Sequence, residues 1–240
     1  MNPVTWSTYD AVLFDLDGVV TPTAEVHMVA WAEMFNAYLQ AYDGPAADTA
    51  PYTDADYFAQ VDGKPRYDGV RDFLTSRGLP APQDLVVELG DRKNDAFNEV
   101  LERDGVTAYP GSVLLLDHLR ELGIPLAVVS SSVNAPAVLA AAGLADRFRT
   151  VVSGAVATEL GLPGKPAPDT FLHAAAELGA TAATSVVLED AVSGVRAGVA
   201  GHFALVIGVD RGVGHETLSA AGATIVVSDL AELVPTGAPA

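Results

Sequence analysis

Cysteine is absent from the 240-residue chain, which excludes disulfide bonds and thiol-based catalysis. Positive charge is scarce: 13 lysines and arginines stand against 31 acidic residues, a formal net charge of −18, so the surface repels nucleic acid and anionic lipid. Long apolar runs are missing as well. No stretch approaches the roughly 18 residues of a membrane-crossing helix, and Met1 to Asp10 lacks the basic and apolar regions of a signal peptide. A cytoplasmic protein is therefore expected. There is no internal repeat or low-complexity run beyond alanine enrichment, although the tail Pro235 to Ala240 reads as disordered. Apolar residues, by contrast, make up 50% of the chain, enough for one sizeable core with a smaller companion domain.

The stretch Phe14-Asp15-Leu16-Asp17-Gly18-Val19-Val20 sets two carboxylates two residues apart, just after the apolar run Ala11 to Phe14. An apolar run of that length closed by glycine reads as a buried strand entering a turn. The carboxylates then sit at the strand's carboxyl end, which in an open α/β sheet faces the ligand crevice. Taken alone, the pattern reads more readily as an Asp-Gly turn with solvated acids. Three further segments change that. Ser130-Ser131-Ser132 follows the apolar run Leu126 to Val129; Lys165 stands in Gly164-Lys165-Pro166-Ala167-Pro168-Asp169; and Val186 to Leu188 runs into Glu189-Asp190. With their order kept, these segments resemble the motif set of the haloacid dehalogenase superfamily, and the resemblance covers essentially the whole chain.

The pattern along the chain agrees. Leu126 to Val129, Thr150 to Val152, Val186 to Leu188, Phe203 to Val209 and Thr224 to Val227 are predicted strands separated by helical stretches, the signature of a doubly wound parallel sheet. Between about residues 24 and 100 no strand is predicted: Ala24 to Tyr42, Gly69 to Gly78 and Gln83 to Asp104 read as helices, with the Gly/Pro/Asp-rich segment Asp43 to Asp56 among them. The expected architecture is an α/β core, residues 1–22 and 101–240, with a small helical cap domain, residues 23–100, inserted after the first strand.

The superfamily chemistry accounts for these residue types. A carboxylate attacks phosphorus only if a metal offsets the repulsion between anions, and the phosphoryl group in transit needs cations and donors around it. Asp15 is the best nucleophile candidate, and Asp17 the general acid and base, with a pKa expected to be tuned upward by neighbouring negative charge. Mg²⁺ is the expected metal because the ligands available are hard oxygens from Asp15, the Asp17 carbonyl and Asp190, with Glu189 adjacent or through water. Ser130 and Lys165 would supply the hydrogen-bond donor and the cation.

Within the superfamily the insert resembles that of the β-phosphoglucomutase-like family. Thr21-Pro22-Thr23-Ala24-Glu25-Val26-His27, followed by Trp31, is similar to the segment leading into the family's first cap helix. Val61-Asp62-Gly63-Lys64-Pro65-Arg66 resembles its phosphate-gripping turn, and Asp91-Arg92-Lys93-Asn94-Asp95 its Arg-Lys-Asn-Asp segment. The resemblance implies that Arg66, with Ser131, Ser132 and Asn134 from the core, holds the non-reacting phosphate, with Lys64 a neighbouring cation that could do the same. It also implies that Thr23, His27, Trp31 and Lys93 serve the sugar side and couple cap closure to Asp17. Two positions depart from the family: Pro22 replaces an acidic residue, and Val133 stands where a lysine is usual. The implied activity is a Mg²⁺-dependent phosphomutase, a monomer, acting on β-glucose 1-phosphate and glucose 6-phosphate through a phosphoaspartate and a sugar bisphosphate. A sugar-phosphate phosphatase is the alternative, and a non-catalytic sugar-phosphate binding protein a more distant one.

Overall fold

The computed structural model describes residues 4–235; the expectation for the tail falls, Pro235 apart, outside the described residues. Its strands are β1 (Ala11–Phe14), β2 (Leu126–Val129), β3 (Thr150–Val152), β4 (Ser185–Glu189), β5 (Leu205–Val209) and β6 (Ile225–Val227). They form one parallel sheet in the order β3-β2-β1-β4-β5-β6. Parallel strands need crossovers, and these bury both sheet faces. Side chains therefore alternate between two apolar layers rather than between core and water. Val12 and Phe14 pack in one layer with Leu115 and Leu119, while Ala11 and Leu13 face the other with Phe171 and Ala174.

The helices are α1 (Thr23–Ala41), α2 (Asp54–Asp56), α3 (Arg66–Ser76), α4 (Gln83–Asp104), α5 (Pro110–Glu121), α6 (Ala135–Ala141), α7 (Gly154–Glu159), α8 (Asp169–Glu177), α9 (Val192–Ala200) and α10 (His215–Ala221). The first four lie between β1 and α5 and form a helical insert with a core of its own, in which Trp31, Phe35, Phe73 and Leu89 are buried together. Burying an apolar side chain of this size is worth roughly 1.5–3 kcal/mol, and Ala30 and Phe97 of the insert are buried instead with the sheet's own cluster. α4 stops at Gly105, whose φ of 67° suits glycine.

Several boundaries differ from the sequence reading. A π-helical turn, Tyr57–Val61, follows α2 directly, where the sequence predicts no element. α3 begins at Arg66 rather than Gly69, because Gly69 is a buried packing position against Val61 and not a breaker. Phe203 lies outside β5 and packs edge-on to Phe171. No helix among the described residues is long and apolar enough to cross a membrane.

Candidate active site

The sheet order turns back at β1, which lies between β2 and β4, and this is where a doubly wound sheet opens its ligand crevice. Asp15 follows β1 directly, its N–H donating to Leu188 O at 2.9 Å, and Ser130 follows β2. Glu189 and Asp190 close β4. A loop between α7 and α8 brings Lys165 beneath them. Its buried Nζ donates to Asp15 Oδ1 at 2.5 Å, Glu189 Oε1 at 2.6 Å and Val129 O at 2.9 Å. All three ammonium donors are thereby used. Burial alone would lower the lysine's pKa, yet Asp15 and Glu189 hold it above its usual range.

One ammonium does not balance the acids around it. Burial raises Asp15 well above the carboxylate range, with Glu189 and Asp17 adding and Lys165 opposing. Asp190 is raised in the same way, by burial and then by Asp62, Glu189 and Asp15. Asp62, on the turn after Val61, is pushed up to about 7 by burial and by Glu189. Glu189 commits its second oxygen to the Ala191 N–H at 2.9 Å. Asp15 and Asp190 thus remain the carboxylates open to a cation, and Gly18 packs so tightly on Asp190 that a Cβ there would collide with it. No three histidine or acidic side chains among the described residues form a ready-made cage. That suits Mg²⁺, which keeps several waters and binds through one or two carboxylates plus substrate phosphate. A surplus of buried hard-oxygen charge fits such an ion.

Asp17 behaves differently from the expectation. Burial pushes its pKa up, but His27, Thr23 and Lys93 outweigh that and bring it down to about 2. The expected upward tuning is wrong because Asp17 turns away from the other acids toward the insert. Thr23 Oγ1 donates to its Oδ1, His27 Nε2 stands 3.4 Å from the same oxygen, and Ser130 Oγ is 3.4 Å from Oδ2. Lys93 Nζ contacts His27 Nδ1 in turn. Burial lowers the His27 pKa, and Lys93 lowers it further. With Lys93 at Nδ1, it is Nε2 that faces Asp17. Lys93 is itself 5% exposed and lies over the rings of Trp31 and Phe97.

Between sheet and insert lies a cavity of about 430 Å³, sufficient for a small polar ligand. Asp15, Asp17, His27, Trp31, Lys93 and Lys165 line it. Also in its wall, Arg66 Nη2 donates to Asn94 Oδ1 at 2.8 Å, and Asn134 Nδ2 donates to that oxygen at 2.8 Å as well. Ser131 and Ser132 lie beside them. Lys64 also lines the cavity and pairs with Asp72 at 2.7 Å, while Arg66, 3.4 Å from Asp91, shares Asn94 with Asn134. Thr23 is buried and contacts Asp17 rather than the cavity itself. Val133 lines it, with no charge.

Insert and core meet at this cavity through direct hydrogen bonds. Ser131 Oγ donates to Gly63 O at 2.8 Å and Ser193 Oγ to Asp62 O at 3.1 Å. Tyr57 carries no signal in the sequence, and Asp62 and Asn94 stand there only as members of the segments that hold Arg66 and Lys93. Asn94 adjoins Lys93, and only the rotation of α4 reveals that both point inward while Arg92 pairs outward with Glu88.

The haloacid dehalogenase-like hydrolase profile matches residues 9–202. A β-phosphoglucomutase of Mycobacterium bovis is 45% identical, covering 93% of this chain and 91% of its own. The hexitol phosphatase A of Escherichia coli is 30% identical, covering 78% and 77%. Among solved structures, a β-phosphoglucomutase from Clostridium difficile superposes with a TM-score of 0.78 at 24% identity, covering 94% of this chain and 93% of its own. The chain belongs to the haloacid dehalogenase-like hydrolase family and, within it, to the β-phosphoglucomutase-like enzymes.

Proposed function

We propose that this enzyme is a β-phosphoglucomutase, interconverting β-glucose 1-phosphate and glucose 6-phosphate, and that Asp15 carries the phosphoryl group between the two positions. The observation that carries the reading is the chain Lys93, His27, Asp17, in which two residues of the insert reach the acid and base beside the nucleophile. Hydrolysis needs no such link, since water requires no cap-held hydroxyl. The name of the mycobacterial relative supports the choice of sugar.

In the proposed cycle a sugar hydroxyl attacks phospho-Asp15. The bond from phosphorus to the Asp15 oxygen breaks, a bond to the sugar oxygen forms, and the hydroxyl proton passes to Asp17, which is ionised at neutral pH. The resulting bisphosphate turns over in the cavity so that an Asp15 oxygen attacks its other phosphorus; the bond from that phosphorus to the sugar oxygen breaks as the bond to Asp15 forms, and Asp17 returns its proton to the leaving oxygen. Lys165 and Ser130 surround the reacting phosphoryl group, while Arg66, Asn134 and Ser132 hold the distant phosphate, with Asn94 fixing the two planar groups. Mg²⁺, held by Asp15, Asp190 and the Asp17 carbonyl, would offset anionic repulsion at the phosphoryl group. The hydrogen bonds from Ser131 and Ser193 hold the insert closed, and closure keeps water from phospho-Asp15. The proposal includes a cytoplasmic monomer.

One assay tests this: β-glucose 1-phosphate with Mg²⁺ and catalytic β-glucose 1,6-bisphosphate, following glucose 6-phosphate and free phosphate together. A large excess of glucose 6-phosphate is expected. Mostly free phosphate would make a sugar-phosphate phosphatase the better description, a reading favoured by the uncharged Val133 in the cavity wall.

A further inference from the structure

The chain passes between core and insert twice, through residues 18–22 and 105–109. These two linkers are joined by the Tyr109 N–H, which donates to Val20 O at 3.0 Å. Three consecutive carbonyls of the first linker are each held by a different partner, one in the second linker and two in the core. Tyr109 takes that of Val20, the buried Ser112 Oγ takes that of Val19 at 2.7 Å, and Arg211 Nε takes that of Gly18 at 2.8 Å. Arg211 lies just past the end of β5, and its Nη1 donates to Ser228 O at 2.9 Å, just past β6. Its guanidinium also covers the ring of Tyr109, 3.9 Å from the centroid. Arg211 thus grips one linker by a carbonyl and the other by an aromatic face. Its remaining nitrogen, Nη2, is buried with no hydrogen-bond partner among the described residues, a cost that a side chain in a merely decorative position would shed by turning to water.

We infer that Arg211 is a positioning residue that sets the hinge of the helical insert, holding both linkers in one register and so controlling how fully the insert closes over the phosphoryl group. This rests on the mutase reading for its catalytic consequence and on geometry alone for the hinge. Gly18 directly follows Asp17 in the chain, so a loosened Gly18 carbonyl misplaces the acid and base as well as the insert. The planar fork is required for both contacts at once. A lysine could reach the carbonyl, but it could not also lie flat on Tyr109 and hold Ser228.

The test combines hydrogen exchange with product analysis on Arg211→Met, Arg211→Lys and Tyr109→Ala. Amides in residues 18–22 and 105–109 should exchange about tenfold faster in all three variants, while β1 and β4 keep their protection. The ratio of glucose 6-phosphate to free phosphate should fall severalfold, with Arg211→Lys failing to restore it. Should Arg211→Met not fold, the other two variants carry the test. Unchanged exchange at both linkers, or full rescue by lysine, overturns the inference. So does faster exchange with an unaltered ratio. If wild type releases only phosphate, the mutase reading fails instead, and the hinge is decided by exchange alone.

Discussion

His27 Nε2 stands 3.4 Å from Asp17 Oδ1, joining a ring carried by the insert to a carboxylate carried by the core. His27 stacks on Phe97 of α4 with centroids 4.0 Å apart, and Lys93 of the same helix touches its other nitrogen. The orientation of the insert is thereby coupled to the carboxylate of Asp17, the proposed acid and base. Whereas the pKa values of Asp15, Asp62 and Asp190 are raised, that of Asp17 is held below the usual carboxylate range, because Asp17 faces this chain.

Lys93→Ala should therefore lower transfer to sugar far more than hydrolysis. A sugar hydroxyl must be held in line, and misplacement by about 1 Å costs on the order of a hundredfold. The ratio of glucose 6-phosphate to free phosphate, measured in one reaction, should shift toward phosphate. An unchanged ratio would remove Lys93 from the coupling.

Lys93 also makes stability depend on pH. Burial, with Arg66 adding and Asp17 opposing, holds its pKa down to about 7, against 10.5 for the free side chain. Between these values the unfolded chain binds more protons than the folded one, so this residue's contribution to stability rises with pH from about 7 to about 10.5 and is least favourable below 7. Urea unfolding of wild type and Lys93→Met at pH 7, 8 and 9 should diverge in favour of wild type by roughly 1 kcal/mol per pH unit. Parallel pH dependences would count against a buried, depressed lysine.

Asp15→Asn should abolish turnover while leaving the fold intact. An amide cannot attack phosphorus, and Asp15 is a crowded acid already pushed toward neutrality by burial and by Glu189. Melting by circular dichroism should show no loss of stability. Residual activity within about tenfold of wild type, only some 1.4 kcal/mol of barrier, would show that another group is the nucleophile.

Replacing Lys165 by alanine should do the opposite to the fold. The ammonium compensates two buried carboxylates, and breaking such a pair costs about 3–5 kcal/mol. Chemical denaturation should register this loss, and a second change, Glu189→Gln, should recover part of it by removing one uncompensated charge. No recovery would mean that charge compensation is not the reason for the loss.

Chelation should inactivate the enzyme and Mg²⁺ restore it. Binding to the folded state alone also raises the melting temperature, so a Mg²⁺-dependent stabilisation is expected in wild type and should vanish in Asp190→Ala. A shift that survives in that variant would locate the cation elsewhere.

The sequence by itself determined the sheet, because each strand is built on a short, mostly apolar run, the kind of run that burial on both faces of a parallel sheet calls for. It also determined which side chains follow the strand ends, since Asp15, Ser130 and Asp190 need only their place in the chain to reach the crevice. Tertiary structure alone decided the rest. Lys64 and Arg66 both line the cavity, and only the folded structure decides that Lys64 pairs with Asp72 while Arg66 shares Asn94 with Asn134. Asn94 and Thr23 acquire their partners through the rotation of α4 and the packing of α1, contacts that no local spacing encodes. The sign of the shift at Asp17 was decided in the same way: its nearest acid in sequence is Asp15, but its closest partners in space are Thr23 and His27, and electrostatics follow distance through the folded molecule rather than distance along the chain.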